Sequence, residues 1–235
     1  MTKIPYFLIS VFVCTMVAIS GCTSLPAAPV TPTSTMVTIT TTITPVPTAT
    51  LVSFDTIPES NMTASEREDA LYLQEAEKAE RDINEELADQ RQTVTVFRSI
   101  ADIVTVAMTA DNVILERYNL PNPEKQAVGK FTSPKLQRMY DDAVSAGSLS
   151  VTGAITASMK YDDLHIADLM SAIGRTDNDD LKFIYEQELA LSRNNMRLLH
   201  DTLKEYGGTY VPTYITPAYY NEIITTPAEP VQLVQ

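Results

Sequence analysis

The sequence is poor in the residues on which several common kinds of protein chemistry depend. It has two cysteines, two histidines and seven glycines in 235 residues. It contains no glycine-rich phosphate loop, no nucleophile elbow and no metalloprotease helix motif. These absences set aside P-loop nucleotide hydrolysis, serine-hydrolase chemistry and zinc-protease chemistry.

The first 21 residues predict a secretory signal peptide. They contain one basic residue, an apolar run too short for a comfortable membrane span, and small residues at the end. The next motif, Ile19-Ser20-Gly21-Cys22, resembles a lipobox, in which the cysteine is lipidated and becomes the new N-terminus. An ordinary signal peptide with an incidental cysteine is the alternative. We therefore expect an extracytoplasmic lipoprotein, because two acyl chains on Cys22 are enough to hold a protein at the cell membrane.

Removal of residues 1–21 would leave a chain with one cysteine and a large excess of acidic residues. Cys14 would be lost, and so would Lys3, which leaves 16 of the 17 basic residues against 30 acidic ones, a net charge of −14. One lipidated cysteine provides neither a disulfide framework nor a cysteine metal site. A field this negative repels nucleic acid, so we expect no nucleic-acid partner. This negative charge is compatible with cation binding but is not evidence for it.

Residues 22–60 predict a stalk rather than a folded unit. No charged residue occurs between Thr23 and Phe54, where threonine, proline, valine and alanine dominate. Such a chain favours extended conformations and has too few large side chains to build a core. Extended at ~3.1 Å per residue, about 35 residues would hold the next domain on the order of 100 Å from the bilayer. O-glycosylation and an undecorated spacer both fit this composition, and Asn61 begins an Asn-x-Thr sequon.

Residues 61–225 have the apolar periodicity of helices and are enough for one domain. A capping-box pattern, Thr63 with Glu66, begins the first long helix. Three more long helices and one short helix in the middle connection follow. This predicts an all-α fold, an antiparallel four-helix bundle, with a solenoid as the weaker alternative because no repeat is visible. We expect a disordered tail over residues 226–235.

The stretch "YDDLHIADL", residues 161–169, combines three aspartates with a histidine on the third long helix. At about 100° per residue, Asp162 occupies a position in the middle of the apolar stripe, and His165 borders that stripe. Asp163 and Asp168 point away and are expected to be solvated. A buried carboxylate needs a partner, a proton or a metal ion, so Asp162 is a candidate site residue.

The other long helices also place acidic residues among apolar ones. Glu80, with Glu77 beside it, lies on the apolar face of the first helix, and Asp111 lies on that of the second. Glu188 and Asn195 flank the apolar stripe of the fourth. One inward carboxylate per helix is the arrangement that a bundle-core metal site uses.

Seven stretches between Leu71 and Ile224 resemble an uncharacterised ferritin-like family of bacteria and archaea. They occur in order and nearly without gaps: "EAEKAERD" (75–82), "ERYNLPNP" (116–123), "FTSPKLQRMYDDAVSAGSLS" (131–150), "LHIADLMSAI" (164–173), "TDNDDLKFIYE" (176–186), "SRNNMR" (192–197) and "GGTYVPTYIT" (207–216). The resemblance implies a ferritin-like bundle whose interior, in typical members, can hold a dinuclear iron-type centre.

The departures from that family pattern predict a degenerate centre. Val104 and Ala107 stand where the family has Glu-x-x-His on the second helix, and Asn195 stands where it has histidine on the fourth. Of the ligands that the resemblance implies, Glu77 and a shortened Asp162 remain. Valine and alanine offer no lone pair to a metal. We therefore expect a non-catalytic structural or binding module without a cofactor, and the sequence identifies no protein or cell-envelope partner.

A rebuilt metal site is the alternative. His165 lies three residues after Asp162, so both side chains share one helix face. With Glu77, and with Glu80 as a further candidate, they would form a mononuclear iron or manganese site of ferroxidase, peroxidase or metal-storage type. Otherwise these groups form a hydrogen-bonded polar layer in which Asp162 accepts from His165, Asn195 or Arg193.

Overall fold

A computed structural model describes residues 49–52 and 60–234 of the chain. The predicted signal peptide, Cys22 and most of the predicted stalk lie outside these residues. The described part is all-helical apart from two four-residue strands. Its elements, in chain order, are β1 (Ala49–Val52), α1 (Ala64–Gln90), α2 (Val96–Arg117), α3 (Pro134–Leu149), α4 (Val151–Ile173), α5 (Asp179–Glu205), α6 (Pro217–Thr225) and β2 (Val231–Val234).

Every helix of the described residues except α2 begins where a short polar side chain accepts from free backbone N–H groups. The Thr63 hydroxyl accepts from the Glu66 N–H while the Glu66 carboxylate accepts from the Thr63 N–H, which confirms the predicted capping box. Ser133 caps α3 with Pro134 as its first residue, and Asn178 caps α5. Local sequence therefore fixes the helix starts.

The end of α5 depends on glycine. Gly207 has a φ of 71°, in the left-handed region that favours residues without a Cβ. The N–H groups of Gly207 and Gly208 donate to the carbonyls of Lys204 and Leu203. These bonds satisfy carbonyls that the last turn would otherwise leave without a partner.

Helix α1 packs against α2, α3 and α4, while α5 packs against α4 and α2. On the predicted apolar stripe of α4, Ile155, Met159, Ile166 and Leu169 are completely buried, while Ile173 at the end of the helix is half-buried. Because neighbours surround α1, polar residues on more than one of its faces are removed from water. Each of these polar residues therefore needs a partner inside the protein.

The tail after α5 is held to the bundle by an aspartate that we expected to be solvated. Asp163 is fully buried, and its carboxylate accepts the backbone N–H groups of Thr213, Tyr214 and Ile215. The Tyr210 hydroxyl donates to it as well, at 2.9 Å. The prediction for Asp163 was wrong because its partners come from a distant segment, which helix periodicity cannot show.

Two short strands lie in the segments predicted as stalk and disordered tail. Strand β1 lies within residues 22–60, β2 lies within residues 226–235, and the two pair in parallel with Ala49 opposite Val231. Residues Val231 and Leu233 are each 2% exposed, and β2 contacts α5 and α2. The hydrophobic gain from burying these two side chains stabilises the packing of β2 against the helices.

The surface of the described residues bears on two further predictions. No helix in residues 60–234 is long and apolar enough to cross a membrane. Asn61 is exposed, so its side chain is accessible, and its glycosylation stays a prediction.

Candidate metal centre

Seven polar side chains, which we call the interior cluster, lie in the core between α1, α2, α4 and α5. Each is at most 7% exposed, and together they are Glu77, Glu80, Asp111, Asp162, His165, Glu188 and Asn195. Five carboxyl groups at such depth are unusual, because acidic residues are rarely fully buried without a partner or a metal ion.

Helix periodicity brings these residues to the interior. Glu77 and Glu80 are three residues apart on α1, and Asp162 and His165 are three apart on α4, so each pair shares one helix face. Helix α2 supplies one member and α5 supplies two. Each of the four long helices therefore contributes at least one carboxyl group.

Three members of the cluster are close enough to bind one ion. One ligand atom from each of Glu77, His165 and Glu188 lies within 4.8 Å of the other two. The His165 Nε2 atom is 2.9 Å from Glu77 Oε1. Two ligands at about 2.1 Å from one ion are at most about 4.2 Å apart, so small side-chain movements would complete a first coordination shell.

Four carboxyl groups of the cluster, one of them that of Glu188, form two close pairs. Asp162 lies beside Glu80, and Asn195 Nδ2 donates to Glu80 Oε1 at 2.8 Å. Glu188 lies beside Asp111. Each pair requires a proton held between two acids, because two adjacent buried carboxylates repel each other.

Several atoms of the cluster have no conventional hydrogen-bond donor or acceptor beside them. Within residues 60–234, Glu77 Oε2 and His165 Nδ1 have no such partner. The same is true of both carboxyl oxygens of Asp162 and of Glu188, apart from their contacts with the paired acids Glu80 and Asp111. Buried polar atoms are normally satisfied, so these lone pairs require an explanation. A cation bound among them would supply it.

Burial raises the pKa of every carboxyl group in the cluster. The effect is largest for Glu77, Asp162 and Glu188, whose pKa values lie well above the usual range, with nearby acidic charges adding to the effect of burial. Burial and the charge of Glu77 raise the pKa of Glu80 to about 7. Burial also raises the pKa of Asp111. Without a metal ion, most of these acids therefore keep their protons at neutral pH.

Burial has the opposite effect on His165. It lowers the pKa of the imidazole, and this effect exceeds that of the neighbouring acids, which act to raise it. The neutral imidazole is the form that binds metal ions. The ring also stacks on Tyr161, whose hydroxyl donates to the Ala76 carbonyl at 2.6 Å, so its position is supported from α1.

The structure brings together some of the predicted site residues and adds others. Glu77 and His165 are adjacent as the rebuilt site requires, whereas Asp162 faces Glu80 and does not belong to the group of three ligands. Glu188, recognised from sequence only as an inward acid, completes that group. Asp111, also recognised only as inward, pairs with Glu188.

The three predicted positions of lost ligands are all buried. Val104 and Ala107 are 0% and 1% exposed and pack in the hydrophobic core. Asn195 donates to Glu80 instead of offering an imidazole. Apolar packing therefore occupies the α2 positions, while the α5 position has become part of the polar network.

The fold and the cluster together define an all-helical protein with a buried carboxylate–histidine site between four long helices. Residues 66–227 match the family described as an uncharacterized protein domain, DUF2202, and the chain belongs to that family. The matched range includes every member of the interior cluster.

One relative has both a known sequence and a known structure. The chain is 36% identical over 174 residues to the uncharacterized protein MJ0754 of Methanocaldococcus jannaschii, covering 74% of this chain and 94% of the relative. The crystal structure of hypothetical protein MJ0754 matches with a TM-score of 0.71 at 35% identity. That match covers 74% of this chain and 99% of the other, so the two proteins share a fold over the helical domain.

Proposed function

We propose that this protein is a metal-binding helical bundle whose interior cluster holds a divalent cation. The observation that carries the proposal is the convergence of Glu77, His165 and Glu188, from three helices, in a fully buried position. Imidazole nitrogen suits iron among other transition metals, and carboxylate oxygen suits manganese, so the mixed set favours iron or manganese.

The arrangement of helices supports a ferritin-like, antiparallel four-helix bundle as the finer description of the fold. Helices α1, α2, α4 and α5 are the four long ones, and each supplies an inward acid. Metal sites in bundles of this kind are built from such side chains on facing helices. The apolar residues at 104 and 107 mean that α2 supplies fewer ligands here than the family resemblance implies.

The remaining acids suit a supporting role or a second ion. Glu80, Asp111 and Asp162 each contact another member of the cluster and could lose their protons when a cation arrives. A bound iron or manganese ion would supply redox chemistry of the ferroxidase or peroxidase type. The side chains themselves would orient the ion, balance its charge and exclude water from it.

We also propose that the domain is presented outside the cytoplasm by a lipid on Cys22. The support is the lipobox-like sequence and the uncharged segment between it and the helical domain. Mass spectrometry of the mature N-terminal peptide tests this directly. A diacylglycerol-modified Cys22 is expected, and an unmodified cysteine or a retained signal segment would contradict it.

A non-catalytic binding module is the second candidate, and one observation favours it. Asn195 already satisfies one oxygen of Glu80, and His165 already contacts Glu77, so part of the cluster is a closed polar layer. In that case the protonated acids would hold the core together without any cation.

Metal content distinguishes the two candidates. The full chain, purified in detergent, would be incubated with Fe(II), Mn(II) or Zn(II) and desalted, and bound metal would be quantified per chain. We expect metal in at least an equimolar amount, lost in Glu188→Gln and retained in the control Glu186→Gln, an exposed acid on the same helix.

A second pair of variants tests the imidazole. His165→Gln should also lose the metal, whereas His200→Gln, which changes the chain's other histidine near the end of α5, should retain it. A wild-type content near zero with all three ions would reject metal binding and leave the binding module as the function.

A further inference from the structure

The interior cluster has one member closer to solvent than the rest. Asp111 on α2 is 7% exposed, while every other member is at most 2% exposed. Asp111 also contacts Glu188, one of the three proposed ligands. Among the cluster's side chains, Asp111 is therefore the one that an incoming ion would meet first.

Asp111 lines a small cavity between α1, α2 and α5. The cavity has a volume of about 10 Å³, which is room for about one water molecule. Its wall contains two polar side chains, Asp111 and Tyr185, and five apolar ones, Ala70, Leu73, Ile114, Leu115 and Ile184. By contrast, a much larger cavity of about 750 Å³ beside α3 and α4 has no member of the interior cluster in its wall.

The hydroxyl of Tyr185 has no hydrogen-bond partner among residues 60–234, although the residue is only 3% exposed. Leaving a buried hydroxyl unsatisfied costs about 1–3 kcal/mol, so its presence in the cavity wall needs a reason. A water molecule or ion passing through the cavity would be a partner for it. Tyr185 lines the cavity and lies one turn before the proposed ligand Glu188 on α5.

The acidic charges near the cavity favour the entry of cations. After burial, the charges of Glu188, Asp69, Asp111 and Glu66 all act to raise the pKa of Tyr185, so its hydroxyl lies in a negative electrostatic environment when these acids are ionised. Asp69 is partly exposed near the start of α1 and is paired with Arg175, whose side chain is 50% exposed. Asp111 is the acid in the cavity wall, and its carboxyl group, once it releases its proton between low-dielectric walls, attracts cations.

We propose that the cavity between α1, α2 and α5 is the route by which a divalent cation reaches the interior cluster, with Tyr185 as its gate and Asp111 as the first carboxylate that the ion meets. This inference rests on the proposed metal binding. The gate controls the rate of loading and does not contribute to the affinity of the three ligands.

Stopped-flow loading with Co(II) tests the route, because bound Co(II) is visible by its absorption. The variant Tyr185→Ala would open the cavity and Ala70→Leu would fill it. We expect loading about tenfold faster in the first and about tenfold slower in the second, equivalent to about 1.4 kcal/mol in the barrier. The final amount of bound Co(II) should equal that of the wild type in both variants.

Two control variants make equivalent changes away from the cavity. Tyr220→Ala removes another buried tyrosine, 5% exposed on α6, and Ala143→Leu enlarges a buried alanine, 4% exposed on α3. Neither should change the loading rate.

Three results would overturn the inference. Unchanged rates in Tyr185→Ala and Ala70→Leu, with full final loading, would reject the route and leave the metal site intact. Equal rate changes in the two controls would show that general loosening of the fold admits the ion. A wild-type protein that binds no Co(II) would reject the site and the route together. If one cavity variant fails to fold, the other still decides between these results.

Discussion

Replacing Glu80 with glutamine should stabilise the metal-free protein at alkaline pH. In the folded chain, burial and the charge of Glu77 raise the pKa of Glu80 from 4.5 to about 7. Between these two pH values the folded protein holds a proton that the unfolded chain has released. The stability that this proton provides is therefore complete below the unfolded pKa and is lost as pH rises through the folded pKa.

The size of the effect follows from the shift. Each pKa unit corresponds to about 1.4 kcal/mol, so ionising Glu80 in the folded protein costs about 3 kcal/mol. Glutamine keeps the shape of the protonated acid and cannot ionise. Its amide oxygen can accept from Asn195 and its amide nitrogen can donate to Asp162. We therefore expect Glu80→Gln to be about 3 kcal/mol more stable than wild type at about pH 8 and nearly equal to it at about pH 4.

Urea denaturation in the presence of a chelator, followed by circular dichroism across this pH range, measures the difference. Glu68→Gln is the control, since Glu68 is exposed on the same helix, and we expect a change within about 0.5 kcal/mol. A Glu80→Gln variant less stable than wild type at about pH 8 would refute the reasoning. It would mean that the Asn195 contact stabilises the charged form more than burial destabilises it.

Three further predictions concern contacts away from the cluster, each measured by urea denaturation. Asp163→Asn should lower the free energy of unfolding by about 2–4 kcal/mol, because the carboxylate accepts from three backbone N–H groups and a tyrosine hydroxyl. A decrease under about 0.5 kcal/mol would contradict the role of Asp163 in holding the tail. Leu233→Ala should cost about 2 kcal/mol or more if β2 is part of the core, and no change would show that it is not. Burial acts to raise the pKa of Glu229, but hydrogen bonds from Arg193 and Arg197 lower it overall. The stability that the ionised Glu229 provides should therefore be lost as pH falls below 4.5. Glu229→Gln should lower the free energy of unfolding by about 1 kcal/mol near neutral pH and leave it unchanged in acid. An equal decrease at both pH values would argue against the ion pairs.

The helices were predicted well because the residues that begin and end a helix lie within a few positions of those ends in the sequence. The capping box at Thr63 and Glu66, the proline at 134 and the glycines at 207 and 208 placed helix ends close to where they occur. The two strands could not be predicted in this way. Each has four residues, and they pair across most of the chain, so neither carries a periodicity of its own.

The interior cluster was only partly visible in the sequence. Periodicity placed Asp162 on an apolar face and Glu77, His165 and Glu188 next to such faces, because these positions depend on spacing along one helix. It could not show that Glu188 joins Glu77 and His165 while Asp162 turns to Glu80, since this depends on how the helices are rotated and cross. The unpaired hydroxyl of Tyr185 left no signal, because it sits on an ordinary apolar stripe.

The most direct test of the central claim is to locate the ion. Crystals of the full chain grown with Mn(II) would be measured for anomalous scattering at the manganese absorption edge. The account predicts a peak inside the domain, within bonding distance of Glu77, His165 and Glu188, and its loss in crystals of Glu188→Gln. Peaks confined to surface acids, with the cluster hydrogen-bonded and metal-free, would contradict it.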